Sequence, residues 1–291
     1  MGLTEHTINR ALHMVCCLGG NVFVAVPPGG FSSDFSQTRM ATAITCSPAI
    51  EEQARNVDNV GLKMFKRGTV FIRGTFVPKR EAGLAAQLAS VPADMILVDE
   101  FDRVPSAAII RLRKRLLSSK FQWENYNSTP TFPGVGIDRM YQRSMMHEPE
   151  IRCAACGRLQ MLTWELVKDP GVLTCRFCHK PIDRSDWDFH WAAAHPGKRV
   201  AGYWMPRLVD PGCDLADMLE HSRSADPEET KAFWNEDLGL PFEPKGAKLT
   251  REELQGCVSS RYAMPQKASR CALGVDVQLD RLVRDVASEL A

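Results

Sequence analysis

Two cysteine pairs, Cys153-Ala-Ala-Cys156 and Cys175-Arg-Phe-Cys178, are separated by eighteen residues and constrain the fold more than any other feature of this sequence. A C-x-x-C turn directs both thiols to one side, and two such turns at this spacing match a four-cysteine Zn²⁺ site. Gly157 supplies a permissive turn after the first pair. Four thiolates close the tetrahedral shell and leave no position for a reacting water, so the expected role is structural. His179 next to Cys178 is a spare donor, while His190 and His195 read as surface or core residues. The chain has ten cysteines. In an intracellular chain of this size paired cysteines bind metal more often than they form disulfides, and the other six read as small apolar residues.

Around this element the apolar pattern alternates between helix and strand. Thr4 to Val15 has helical spacing, and Asn21 to Val26 reads as a strand buried on both faces. A Pro-Pro-Gly-Gly loop follows, then a helix over Ser32 to Ala43 with Ser32, Ser33 and Asp34 as available caps. Thr69 to Ile72 is a short strand, Glu81 to Ser90 a helical stretch, Met95 to Val98 a strand, Pro105 to Leu117 a helix and Gln122 to Tyr126 a strand. This alternation predicts an α/β fold, a mainly parallel sheet with helices on both faces and ligands beyond the carboxyl ends of the strands. The expected organisation is an α/β core over 1–147, a zinc ribbon over 148–186, the remainder of the core over 187–240, a Pro- and Gly-containing linker over 241–268, and a further strand-led segment over 269–291.

The chemistry concentrates at strand ends. Met95-Ile-Leu-Val-Asp99-Glu100 puts two carboxylates after a four-residue apolar strand. In phosphoryl transfer one acid holds hydrated Mg²⁺ and the other, here Glu100, accepts a proton from the attacking water. The same pattern also arises where a buried strand ends in a solvated turn. The next strand ends in Asn127-Ser128-Thr129-Pro130, where the hydroxyls of Ser128 and Thr129 could sense a γ-phosphate; Pro130 would equally end strand pairing. A full phosphate loop needs a lysine before its helix, and the first lysine is Lys63. Gly2-Leu3-Thr4-Glu5 opens the first helix, so Thr4 is either the Mg²⁺ hydroxyl at the end of a phosphate loop or a helix cap.

Thirty-six Lys and Arg against thirty-five Asp and Glu give a net charge of +1, so nothing global draws the chain to nucleic acid. DNA contact has to come from a local patch, with Arg111, Arg113, Lys114 and Arg115 or Lys63, Lys66 and Arg67 as candidates. No secretory signal opens the chain and no apolar run reaches the roughly 20 residues that cross a bilayer; a cytoplasmic location and no membrane partner are expected.

Taken in order, these features resemble the large terminase subunits of the GpA type of tailed phages. Gly2-Leu3-Thr4-Glu5, the strand Val22 to Val26 with Pro27, Arg39 on the next helix, ILVDEFD, Ser128 to Pro130, the CAAC and CRFC knuckles, and Asn235-Glu-Asp-Leu-Gly239 before Pro241 carry the resemblance. Gly274-Val-Asp276-Val-Gln278 resembles the opening strand of that family's ribonuclease-H-like nuclease domain. The resemblance implies a P-loop-type ATPase that packages phage DNA into a procapsid and cuts concatemers. Its cofactors are ATP, Mg²⁺ and structural Zn²⁺. Its partners are double-stranded DNA, a small terminase subunit, a portal ring and further copies of itself. It also implies that Asp276 ligates a nuclease metal, and that an arginine finger exists, with Arg80 preferred over Arg111 and Arg139. The resemblance further implies a chain that starts near the end of the phosphate loop and stops early in the nuclease domain, with Asp280 on a turn and Asp285 on a terminal helix. A helicase-like motor and a non-catalytic zinc module are the competing readings. A helicase would continue after Ser-Thr-Pro into a second α/β lobe; stabilisation by ATP would oppose the module.

Overall fold

Val22 to Val26 is apolar at every position because both of its faces are covered. Val22, Val24 and Val26 project to one side and Phe23 and Ala25 to the other, and all five are buried. The computed structural model describes residues 3–75, 91–184 and 189–243, and the strands within 270–277 and 282–289. Gly2, Arg80, the helix expected at Glu81 to Ser90 and most of the linker lie outside the described residues.

The chain opens with α1 (Leu3–His13), which continues as a π-helical turn, Met14–Leu18, into β1 (Val22–Val26). A helical segment follows, α2 (Phe31–Ser33), a π-helical Asp34–Met40 and α3 (Ala41–Thr45), then α4 (Pro48–Glu51). Next come β2 (Ala54–Asn59), β3 (Leu62–Phe65), β4 (Thr69–Gly74), β5 (Met95–Val98), α5 (Ser106–Arg113) and β6 (Trp123–Tyr126). They form one six-stranded sheet in the order β2-β3-β4-β1-β5-β6, in which β4, β1, β5 and β6 are parallel and the β2–β3 edge is antiparallel. The parallel four are the strands expected from the apolar runs. The β2–β3 hairpin was not; Ala54–Asn59 carries Arg55, Asn56, Asp58 and Asn59 and has no apolar period to betray a strand. β1 is flanked by β4 on one side and by β5 on the other, so the order reverses at β1, and in open α/β sheets ligands bind beyond the carboxyl ends of the strands at such a point.

Helix α1 covers one face with Ile8, Ala11 and Leu12, and α5 covers the other with Ala108, Ile109 and Leu112. The helix after β1 begins at Phe31 with Gly30 in the cap position and no capping side chain, so Ser32, Ser33 and Asp34 are not caps.

Past α6 (Gly136–Gln142) the pattern changes. The strands β7 (His147–Arg152), β8 (Leu159–Met161) and β11 (Phe189–Ala193) form an antiparallel sheet in the order β11-β7-β8. The hairpin of β9 (Val167–Lys168) and β10 (Val172–Leu173) packs with α7 (Leu215–Ser222), which packs in turn with α8 (Pro227–Ala232). Ile151, Leu162, Leu166, Leu173, Leu208, Met218 and Phe233 form their shared core.

The chain divides into two compact units, Met1–Glu243 and Pro244–Ala291. In the second, β12 (Arg270–Val277) pairs antiparallel with β13 (Leu282–Glu289), Asp276 opposite Val283. Asp285 is therefore in a strand and not a terminal helix. The Val283–Val286 spacing fits a helical turn, but full-length pairing with β12 satisfies the backbone instead. No helix of the described residues is long and apolar enough to cross a membrane.

Candidate nucleotide site and cysteine cluster

Strand β5 ends at Val98, and its continuation delivers Asp99 to the carboxyl edge of the sheet, where the Asp99 N–H donates to the Ala25 carbonyl of β1 at 3.0 Å. The start of α1 faces this edge. The Thr4 hydroxyl donates to Asp99 Oδ2 at 3.0 Å across 95 residues of sequence, so Thr4 is not a local helix cap. Asp99 is 8% exposed. Burial raises its pKa, opposed by the Thr4 hydrogen bond, the Arg39 charge and the Glu100 backbone N–H. Glu100 turns the chain with φ 52° and ψ 50°, the left-handed region, and opens the 3₁₀ turn Phe101–Arg103. Burial also raises the Glu100 pKa; Arg103 opposes this and Asp99, Asp102 and Glu236 add to it. Glu236 belongs to the Asn235-Glu-Asp-Leu-Gly239 run, so that motif reaches this acidic pair.

The end of β6 completes the edge. The Asn127 side chain donates to the Leu3 carbonyl at 3.1 Å and to the Thr7 hydroxyl, tying α1 to the sheet. Ser128 Oγ accepts from the Asp102 N–H at 3.0 Å and donates to the Thr129 carbonyl at 3.1 Å. Thr129 is half-buried beside it. Thr4, Asp99, Glu100, Ser128 and Thr129 are thus gathered at one end of the sheet, with Arg39 close enough for its charge to act on Asp99. Asn127 and Asp102 belong to this edge too; they sit inside motifs already noted, but long-range hydrogen bonds define their roles. Mg²⁺ fits this donor set: a hydroxyl beside a desolvated carboxylate is hard-oxygen chemistry.

The expected basic patches fare differently. Lys63 is buried, Lys66 pairs with Glu52 at 3.1 Å and Arg67 donates to the Cys17 carbonyl. In the other run, Arg113 is held by Glu124 at 3.0 Å and lies over the Tyr126 ring.

The cysteine pairs form two knuckles of one design. In the first, the Cys153 N–H donates to the Arg158 carbonyl and the Gly157 N–H to the Cys153 carbonyl; in the second, the Cys175 N–H donates to the Lys180 carbonyl and the His179 N–H to the Cys175 carbonyl. Gly157 and His179 both adopt positive φ, 73° and 58°, so His179 is the turn residue of its knuckle, and it is exposed. Cys153 and Cys178 approach to 3.7 Å between sulfurs, Cys156 and Cys175 likewise, and all four sulfurs lie within 4.8 Å of one another. A tetrahedral Zn²⁺ with Zn–S bonds of about 2.3 Å requires sulfurs about 3.8 Å apart, so the cluster has the size a metal demands. Burial opposes ionisation of Cys175, but the Cys178 and Phe177 N–H groups, with neighbouring thiols, bring its pKa down to about 6. Of the other cysteines, Cys16 and Cys213 are buried as expected, whereas Cys17 and Cys46 are exposed.

The family model of the phage terminase large subunit gpA ATPase domain matches residues 1–196, and that of the terminase large subunit gpA endonuclease domain matches residues 200–288. Among solved structures, the HK97 bacteriophage large terminase is similar with a TM-score of 0.50 and 12% identity over 94% of this chain. The large terminase of a thermophilic bacteriophage is similar over 48% of this chain and 35% of its own, with 14% identity and a TM-score of 0.36. The chain spans about half the HK97 protein, 51% of its length. No curated protein sequence matches.

Proposed function

The chain belongs to the gpA family of phage terminase large subunits, and we propose that its first unit is the ATP-hydrolysing part of a DNA-packaging motor. The observation that carries this reading is the hydrogen bond from the Thr4 hydroxyl to Asp99, which sets a helix-opening hydroxyl against a strand-ending carboxylate. In this reading Thr4 and Asp99 hold Mg²⁺, Gly2 is a further nucleotide-binding residue, and ATP with its metal supplies the phosphoryl group. Glu100 orients and deprotonates water; its raised pKa makes it a stronger base once ionised. Ser128 and Thr129 sense the γ-phosphate. Arg39, whose charge already reaches Asp99, is proposed to help neutralise phosphate, and Arg80 is the proposed finger.

We place the working boundaries at 1–147 for the ATPase core, 148–186 for the ribbon, 187–240 for the rest of the ATPase region, 241–268 for the linker and 269–291 for the nuclease start. Zn²⁺ on Cys153, Cys156, Cys175 and Cys178 is structural, and Asp276 is a ligand for the nuclease metal. The whole protein is proposed to engage double-stranded DNA, a small terminase subunit and a portal ring, as a homo-oligomer in the host cytoplasm. The test is ATP hydrolysis by the purified chain beside Glu100→Gln, with nucleotide binding measured in both. Binding in both and hydrolysis lost only in the variant is expected. A folded chain that binds no Mg²⁺–ATP refutes the reading.

A further inference from the structure

The geometry points to Asp102 as a positioning residue that latches the loop Ser128 to Ile137, and with it helix α6, to the strand end bearing Asp99 and Glu100. The inference rests on the nucleotide-site reading above and adds how that site would communicate with the rest of the chain. Asp102 sits two residues past Glu100, and its N–H and both carboxylate oxygens are turned to one loop. Its N–H donates to Ser128 Oγ at 3.0 Å. Its Oδ2 accepts from the Thr131 hydroxyl at 2.9 Å and the Thr131 N–H at 3.2 Å, and its Oδ1 accepts from the Ile137 N–H at 2.6 Å. One residue therefore grips the hydroxyl proposed to sense γ-phosphate and, nine residues further on, the first turn of α6.

Gly136 gives independent support. It adopts φ 54°, and a Cβ there would collide with the Asp102 carboxylate. A side chain there would have to push the carboxylate aside and would be strained by the positive φ, at the place where the carboxylate closes on the helix. What the latch would move is also visible. Arg139 and Arg143 stand four residues apart on α6 and its end, both exposed, and with Asp102 and Phe101 they line a groove of about 590 Å³. Coupling between sites is carried by contiguous contacts of this kind, and here a change at Ser128 reaches the arginine face through a single residue, whose N–H meets Ser128 and whose carboxylate meets Thr131 and Ile137.

The test is hydrogen exchange on the full chain with and without a non-hydrolysable ATP analogue and Mg²⁺, beside steady-state hydrolysis. Asp102→Asn, which keeps the shape but weakens the acceptor, is compared with Asp138→Asn. Asp138 accepts from the Gly134 N–H at 2.6 Å and the Gln142 side chain at 2.7 Å. Both of those bonds stay within the loop and α6, away from Asp99 and Glu100, so this variant controls for plain loop stability. In the wild type, nucleotide slows exchange at 99–103 and at 136–142. Asp102→Asn keeps the first effect and loses the second, and kcat falls about 10- to 100-fold with KM unchanged, the scale of a displaced catalytic group. Asp138→Asn keeps both effects. If Asp102→Asn does not fold, Gly136→Ala, which pushes the carboxylate off the helix, gives the same split. Protection at both segments in Asp102→Asn or Gly136→Ala refutes the latch and spares the nucleotide site. No protection at 99–103 in the wild type refutes the nucleotide site and the latch with it.

Discussion

The parallel sheet and the cysteine-bearing region of the first unit reach order by different means. Strand β1 buries all five residues between α1 and α5, whereas β7 buries only Pro149 and Ile151 of six. Two packed faces hold the sheet, and their apolar core can tolerate two desolvated carboxylates and a left-handed Glu100 at its edge. The knuckles are loops at the rim of a smaller core, with Cys156 exposed and Cys178 half-buried. Of their four cysteines Cys153 and Cys175 are buried, and the proposed metal crosslink would supply the remaining constraint. Packing thus supports strain at one end of the unit, and the proposed coordination would replace packing at the other.

The largest expected effect breaks this contrast directly. Cys175→Ser should drop zinc from one ion per chain to none, and structural Zn²⁺ sites contribute on the order of 10 kcal/mol to folding. Hydrogen exchange should then accelerate across 152–180 while Val22 to Val26 stays protected. Equal loss of protection in both regions would mean that the ribbon and the sheet fold as one cooperative body. Glu100→Gln comes next: hydrolysis should fall roughly 10²- to 10⁴-fold, the usual contribution of a positioned base, with melting temperature and zinc content unchanged. A modest fall would move the base elsewhere.

These two regions also differed in how far they could be read from sequence. The apolar runs at Val22–Val26 and Met95–Val98 and the twin C-x-x-C pairs are local signals, and each appears where local reasoning put it. The polar edge strand Ala54–Asn59 had no such signal, and the valines of Leu282–Glu289 suit a helix or a strand until β12 pairs with them. The carboxylate pair was legible, but its surroundings were not: Thr4 meets Asp99 over 95 residues and Asn127 meets Leu3 over 124. Asp102 was inside ILVDEFD, yet only its long-range bonds to Ser128, Thr131 and Ile137 suggest a role for it.

The desolvated acids predict a pH signature confined to the sheet. Because the folded pKa of Asp99 is raised, the folded state holds this proton more tightly than the unfolded chain. That preference favours folding below the ordinary carboxylate pKa of about 4 and is lost as pH rises through the raised value. Asp99→Asn keeps an oxygen for the Thr4 hydroxyl and removes the titration. The metal-free variant should therefore melt higher than wild type at neutral pH, with the gap closing toward pH 4, while hydrolysis is abolished. A variant less stable at neutral pH would show that the Arg39 and Thr4 interactions outweigh desolvation.

The smallest effect compares the two left-handed residues of this unit that sit at sites, Glu100 and His179. At Glu100 the conformation aims a carboxylate over the sheet edge, so strain accompanies a proposed function. At His179 it only closes a knuckle, as Gly157 does in the first. His179→Gly should relieve about 1 kcal/mol of left-handed strain against a somewhat smaller entropic gain of the unfolded chain, a net stabilisation of about 0.5 kcal/mol. Chelator competition should accordingly find zinc held slightly more firmly. Weaker retention would mean that the imidazole beside Cys178 serves the metal, and that the two knuckles, alike in backbone, are not alike in chemistry.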